Sequence, residues 1–163
     1  MSGSTEIFKK YLNAVFVETG SAYGGGIQQA LDAGFEEVYS IELHNEPYQY
    51  CIEMFKNSSK VHILLGNSKE VLCELLPKID SQITFWLDGH DEDKYPIMEE
   101  LECIKSHHIK THTILIDDLR MFDIEKHGLD IAIIELKLLE INHNYIFSFE
   151  NGHVVNDILI AKL

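Results

Sequence analysis

Five short runs rich in β-branched and aromatic residues recur along the chain: "AVFVE" (14–18), "EVYSIEL" (37–43), "VHILLG" (61–66), "ITFWLD" (83–88) and "TILID" (113–117). Between them, apolar residues fall three and four apart, as at Ile27, Ala30 and Leu31, or at Met98, Leu101 and Ile104. The runs have the character of buried strands and the intervening stretches that of amphipathic helices. Strict alternation admits few architectures, because parallel neighbours need right-handed crossovers and the helices must cover both faces of the sheet. Gly34 reads as a helix stop, Ser68 as an N-cap, and Pro47 and Pro96 as residues near helix starts. After "LDIAIIELKLLEIN" the pattern changes to "YIFSFE", the dipeptide "NG" and "VVNDILIAKL", which reads as a tight hairpin whose last strand runs antiparallel.

These elements predict an α/β fold, a Rossmann-like three-layer sandwich around a mostly parallel seven-stranded sheet with an antiparallel C-terminal strand. At 163 residues, with no linker or repeat, the whole chain (1–163) reads as a single domain. A net charge of −14 disfavours nucleic acid as a partner, and no apolar run approaches the length of a membrane span. The opening "MSGSTEIFKKYLNA" lacks the features of a secretory signal, which makes a cytoplasmic setting the expectation. Cys51, Cys73 and Cys103 are expected to be reduced and partly buried thiols.

The stretch "FVETGSAYGGG" (16–26) ends the first strand on Glu18 and then nearly empties the chain of large side chains. In an open parallel sheet, ligands bind beyond the carboxyl ends of the strands, and Gly20 and Gly24 allow tight turning and close approach to backbone N–H groups. An acid at the tip of the first strand repels a pyrophosphate and attracts a positive centre. Glu42, ending the second strand at the spacing expected for a ribose-binding acid, can accept from vicinal hydroxyls. A ribose joined to an ammonium and a sulfonium satisfies both acids, which points to S-adenosylmethionine.

"VETGSAYGGG", "YSIEL", "LLGNS", "FWLDGH" and "LIDDL" follow the order and spacing of class I S-adenosylmethionine-dependent methyltransferases. More narrowly, the chain resembles the small metal-dependent O-methyltransferases of the catechol and macrocin type, from about residue 14 to the end. The resemblance implies that Glu18, Thr19, Gly20, Ser21 and Gly24 surround the methionine portion, that Glu42 holds the ribose, and that Gly66, Asn67 and Ser68 lie beside the adenine. Asp88 falls in both the cofactor and the metal set.

Asp88 ends the fourth strand, and Asp117 and Asp118 end the fifth, so the sheet is expected to bring three carboxylates toward one edge. All-oxygen ligation suits Mg²⁺, with Mn²⁺ or Ca²⁺ as alternatives. In the resembling enzymes this ion holds and activates an acceptor hydroxyl. Those enzymes carry a lysine three residues after the first metal aspartate, where this chain has Asp91, which leaves the base open between His90 and Lys94. The acceptor is expected to be a small hydroxylated molecule. With about fourteen residues before the first strand, the pocket is expected to be shallow, completed by a second copy of the chain in a homo-oligomer, or open to a sugar or peptide hydroxyl. Two further readings stay open: a module that binds the cofactor without methyl transfer, and another reaction on the same cofactor. "SHHIKTH" (106–112) reads as a surface loop at the opposite sheet edge, Phe85 and Trp86 read as core, and "DEDK" (91–94) as a solvated lip.

Overall fold

The computed structural model describes residues 4–92 and 94–163, so Asp93 of the "DEDK" run lies outside the described residues. Seven strands form one sheet: β1 (Val15–Thr19), β2 (Glu37–Glu42), β3 (Val61–Leu65), β4 (Ile83–Leu87), β5 (Thr113–Ile116), β6 (Ile146–Glu150) and β7 (Ile158–Lys162). Their spatial order is β3-β2-β1-β4-β5-β7-β6. The β1 to β5 pairings are parallel, and β7 runs antiparallel to both of its neighbours. The predicted fold class is the one observed.

The period-two alternation of the strands divides the core in two. Val15, Val17, Phe85, Ile114 and Ile116 face one layer, built with α4 (Ser68–Leu75), α5 (Ile97–Ser106) and α7 (Ile131–Ile141). Phe16, Val38, Trp86 and Leu115 face the other, built with α1 (Thr5–Lys10), α2 (Gly25–Ala33) and α3 (Asn45–Met54). A short α6 (Ile124–His127) precedes α7. No helix among the described residues is long and apolar enough to cross a membrane.

Four local expectations are corrected. Asn67, not Ser68, is the N-cap of α4, its side-chain oxygen accepting from the Lys69 N–H, and Ser68 is the first helical residue. The closing hairpin is not a two-residue turn: residues 151–157 connect β6 to β7, with the Asn151 side chain accepting from the Asn156 N–H. Cys73 and Cys103 form a disulfide, because α4 and α5 lie side by side and bring their Cα atoms to 4.9 Å; Cys51 remains a buried free thiol. Of the three histidines in "SHHIKTH", only His108 is exposed. His107 and His112 are buried at the amino edge of the sheet and joined by a 2.8 Å hydrogen bond.

Candidate functional site

Strand order reverses between β1 and β4, where crossovers leave in opposite directions and open a crevice above the strand tips. The tips are level, because the ladder runs one step past the strands. The Gly20 N–H donates to the Ile41 carbonyl, Gly66 to Glu42, Asp88 to Thr19 and Asp117 to Leu87, at 2.9–3.3 Å. Gly66, Glu42, Gly20, Asp88 and Asp117 therefore stand in one row, although they are spread over nearly a hundred positions of sequence.

Two sizeable cavities among the described residues open along this row. The larger, about 690 Å³, is lined by Gly20, Glu42, Gly66, Asn67, Ser68 and Asp88, and also by both base candidates, His90 and Lys94. Its size suits a drug-sized ligand. Glu42 is 4% exposed and its carboxylate is fixed from two loops: Oε2 accepts from the Ala22 N–H at 2.9 Å and Oε1 from the His44 N–H at 2.8 Å. Across the mouth, His44 Nε2 lies 3.3 Å from Asp91 Oδ1, linking the loops after β2 and β4.

The smaller cavity, about 320 Å³, shares Gly20, Ala22, Asp88 and His90 with the first, and adds Glu18, Ser21, Asp117 and Asp118. Four carboxyls thus surround a small space. Burial, then Asp117 and Asp118, push the Asp88 carboxyl up to about 8. Burial also pushes Glu18 up to about 8, with the Ser40 hydrogen bond opposing and Asp88 and Glu42 adding to the rise. Both shifts mark a site that favours positive charge.

The backbone makes room for Glu18. A Cβ at Gly26 would stand 2.1 Å from Glu18 Oε2, so only glycine lets the carboxyl lie against the start of α2. Gly20, at φ 85°, turns the chain so closely that a Cβ would stand 3.0 Å from the Asp88 carbonyl oxygen.

Two residues of the expected cofactor set line neither cavity. Thr19 is buried and its hydroxyl accepts from the Gly89 N–H at 3.2 Å, which ties the β1 and β4 tips together. Gly24, at φ 81°, starts α2 against the Phe55 ring, where a Cβ would come within 2.7 Å. Ser21 reaches only the smaller cavity, its hydroxyl 2.5 Å from that of Ser40.

Sequence reasoning missed three polar residues here. Glu100 of α5 is 1% exposed, sits beside the Ser68 and Thr19 hydroxyls and is raised to about 7, chiefly by burial; its Oε1 has no hydrogen-bond partner. The visible signal was an acid on the apolar stripe of a helix, three after Ile97 and four before Ile104. Arg120 donates to Asp118 Oδ1 at 2.7 Å and grips Asp157, the buried residue just before β7. The sole arginine, two residues after an acid pair, was a signal for the first; Asp157 gave none, because its partner lies 37 positions away.

No protein-family model and no curated protein matches the chain. Solved structures do match in shape. An S-adenosylhomocysteine-bound methyltransferase from Podospora anserina, PaMTH1, superposes with a TM-score of 0.65 at 12% identity, covering 97% of this chain and 75% of that one. A methyltransferase from Geobacter sulfurreducens gives 0.67 at 13%, covering 97% and 74%. A spermidine synthase from Thermotoga maritima gives 0.65 at 12%, covering 97% of this chain and 56% of the synthase, so the chain spans about half of that protein. At such identities the likeness is one of fold.

Proposed function

We propose that the chain is an S-adenosylmethionine-dependent methyltransferase that binds the cofactor in the larger cavity and methylates a hydroxylated acceptor in the smaller one, assisted by a divalent cation. The observation that carries this reading is the level row of strand tips, with the Glu42 carboxylate pinned by two backbone N–H groups at the rim of a cavity of suitable size. Methyltransferases from Podospora anserina and Geobacter sulfurreducens that share the fold support it.

The residues fit the cofactor. Glu42 keeps lone pairs for the ribose hydroxyls, and the Gly66–Ser68 turn offers an edge for the adenine. The acidic junction at Glu18 and Asp88 suits an ammonium and a sulfonium. S-adenosylmethionine supplies an electrophilic methyl group that needs no activation by the protein beyond alignment. The acids of the smaller cavity also fit a cation, since Asp88, Asp117 and Asp118 crowd one another. A divalent ion held there would lower the pKa of an acceptor hydroxyl. His90 and Lys94 are the neighbouring groups able to take up its proton.

A second reading has its own support: four carboxyls around a small cavity also suit an ammonium-bearing acceptor, and structures of the same fold include spermidine synthases. Calorimetric titration with S-adenosylmethionine tests the shared premise. Incubation with hydroxylated and amine acceptors, with and without divalent ions, then separates the reactions by product. S-adenosylhomocysteine marks methyl transfer and 5′-methylthioadenosine marks transfer of the 3-amino-3-carboxypropyl group to an amine. No binding at millimolar cofactor would end both readings.

A further inference from the structure

Among the described residues, two groups of side chains at the strand tips have the spacing of metal ligands: Asp88, His90 and Asp118, and Asp117, Asp118 and Asp157, each with donor atoms within 4.8 Å of one another. They share Asp118, and its two oxygens are already divided. Oδ1 accepts from Arg120 Nη1 at 2.7 Å, while Oδ2 lies 4.0 Å from His90 Nε2. The second group has its cation in place: the Arg120 guanidinium sits on both Asp118 and Asp157, and the Asp157 side chain, fully buried, also accepts from the Arg120 N–H at 3.2 Å and the His153 N–H at 3.0 Å. A metal there would have to evict an arginine.

Among the described residues, no cation bridges the members of the first group, Arg120 touching Asp118 alone of the three. This group opens on the smaller cavity, into which Glu18, 1% exposed, also faces, accepting from the Ser40 hydroxyl. Donors about 2.1 Å from one octahedral ion stand roughly 3 to 4.2 Å apart, so the 4.0 Å pair closes onto an ion with little movement.

We propose that a divalent ion binds between Asp88, His90 and Asp118 with the His90 imidazole as a ligand, and that Arg120 confines it there by holding Asp118 and Asp157. This rests on the divalent-ion part of the reading above and departs from an all-carboxylate set in two ways. It removes His90 from proton transfer, and it replaces one hard oxygen by a borderline nitrogen. Imidazole favours first-row transition ions over Mg²⁺, so the resident ion is expected to be Mn²⁺, Fe²⁺ or Co²⁺.

The test uses untagged full-length protein titrated with Mn²⁺ and with Mg²⁺, the free Mn²⁺ signal being read by electron paramagnetic resonance. Wild type should bind Mn²⁺ more tightly than Mg²⁺, and the bound ion should show ¹⁴N modulation in its spin echo. His90→Ala should lose that modulation and weaken Mn²⁺ binding by at least about tenfold, since losing even an outer partner of a metal ligand costs that much. Bound Mn²⁺ without nitrogen coupling in wild type would overturn the proposal, as would coupling that persists in the variant. S-adenosylhomocysteine is titrated in parallel. Nucleoside binding without Mn²⁺ binding refutes the metal site and leaves the cofactor reading standing, whereas nitrogen-coupled Mn²⁺ without nucleoside binding does the reverse.

Discussion

At the scale of single residues, the site is made by what one position leaves out and by what one carboxylate holds. Gly26 leaves out a Cβ that would collide with Glu18 Oε2 at 2.1 Å. Gly26→Ala therefore has to displace a buried carboxyl, and a loss of about 1–3 kcal/mol is expected from the overpacking. Urea denaturation reads that loss, and calorimetry should show weakened S-adenosylmethionine binding beside it; an alanine variant with wild-type values in both would contradict the packing described. Glu42 is the reverse case, a side chain whose removal leaves space. Hydrogen bonds to a charged group are worth about 1.5–3 kcal/mol, so Glu42→Ala should weaken cofactor binding by about tenfold or more. Because the same carboxylate pins Ala22 and His44, Glu42→Gln should recover only part of the loss. Glu18, Gly20 and Glu42 could be found in the sequence because each is announced locally, by a strand ending or by a missing side chain. Arg120 and Asp157 meet only after the sheet has closed, and nothing beside Asp157 in the chain marks it as a partner.

At the scale of elements, α4 and α5 matter most to the site, since one begins at the turn carrying Asn67 and Ser68 and the other carries Glu100. The Cys73–Cys103 disulfide joins these two helices. Closing a loop of 30 residues is worth about 3–4 kcal/mol in the chain-entropy account, so reduction or Cys73→Ser should lower the thermal midpoint by several degrees. A scan with and without dithiothreitol checks this; coincident curves, with thiol titration showing the bond cut, would mean that helix packing alone holds the pair. The bond was not legible beforehand because two cysteines on separate helices carry no spacing signal, and their meeting depends on which helices become neighbours. A disulfide is also uncommon in a reducing compartment, which sets it against the cytoplasmic expectation drawn from the sequence. The hairpin shows a different limit. "NG" (151–152) is a strong local turn signal, yet a seven-residue connection forms. That longer path delivers Asp157 to the strand tips, where Arg120 and the His153 N–H hold it, so a tertiary contact outweighs a two-residue preference. The strands and the helices α2 to α5 and α7, by contrast, were written in the periods, because each period states how many faces of an element are buried; the short α1 and α6 carry too few residues to show one.

Across the whole molecule, the two edges of the sheet respond to pH in opposite directions. The carboxyl edge gathers Glu18 and Asp88, both raised to about 8 mainly by burial, so their neutral forms favour the fold at low pH and that contribution is lost as pH rises through about 8. The amino edge holds a neutral histidine pair whose proton positions follow from its contacts. The Ile83 N–H donates to His112 Nδ1, so His112 carries its proton on Nε2, donates to His107 Nδ1, and leaves the His107 Nε2 proton for the Ile79 carbonyl. Burial, then His107, Lys110 and His108, press the His112 pKa down to about 3. The unfolded chain takes up a proton near 6.5 while the folded one refuses it, so stability from this group is complete above about 6.5 and is lost as pH falls toward 3. Between pH 7 and 4.5 that loss amounts to about 2–3 kcal/mol. Denaturation of wild type and His112→Asn at both pH values isolates it: the variant is less stable at pH 7 but should lose less on acidification. Equal losses in the two proteins would show that the imidazole does not resist protonation in the fold. A divalent ion or cofactor bound as proposed would act at the other edge, so saturating ligand should raise stability most above pH 8, where the crowded carboxyls repel one another, while leaving the acid limb set by His112 unchanged.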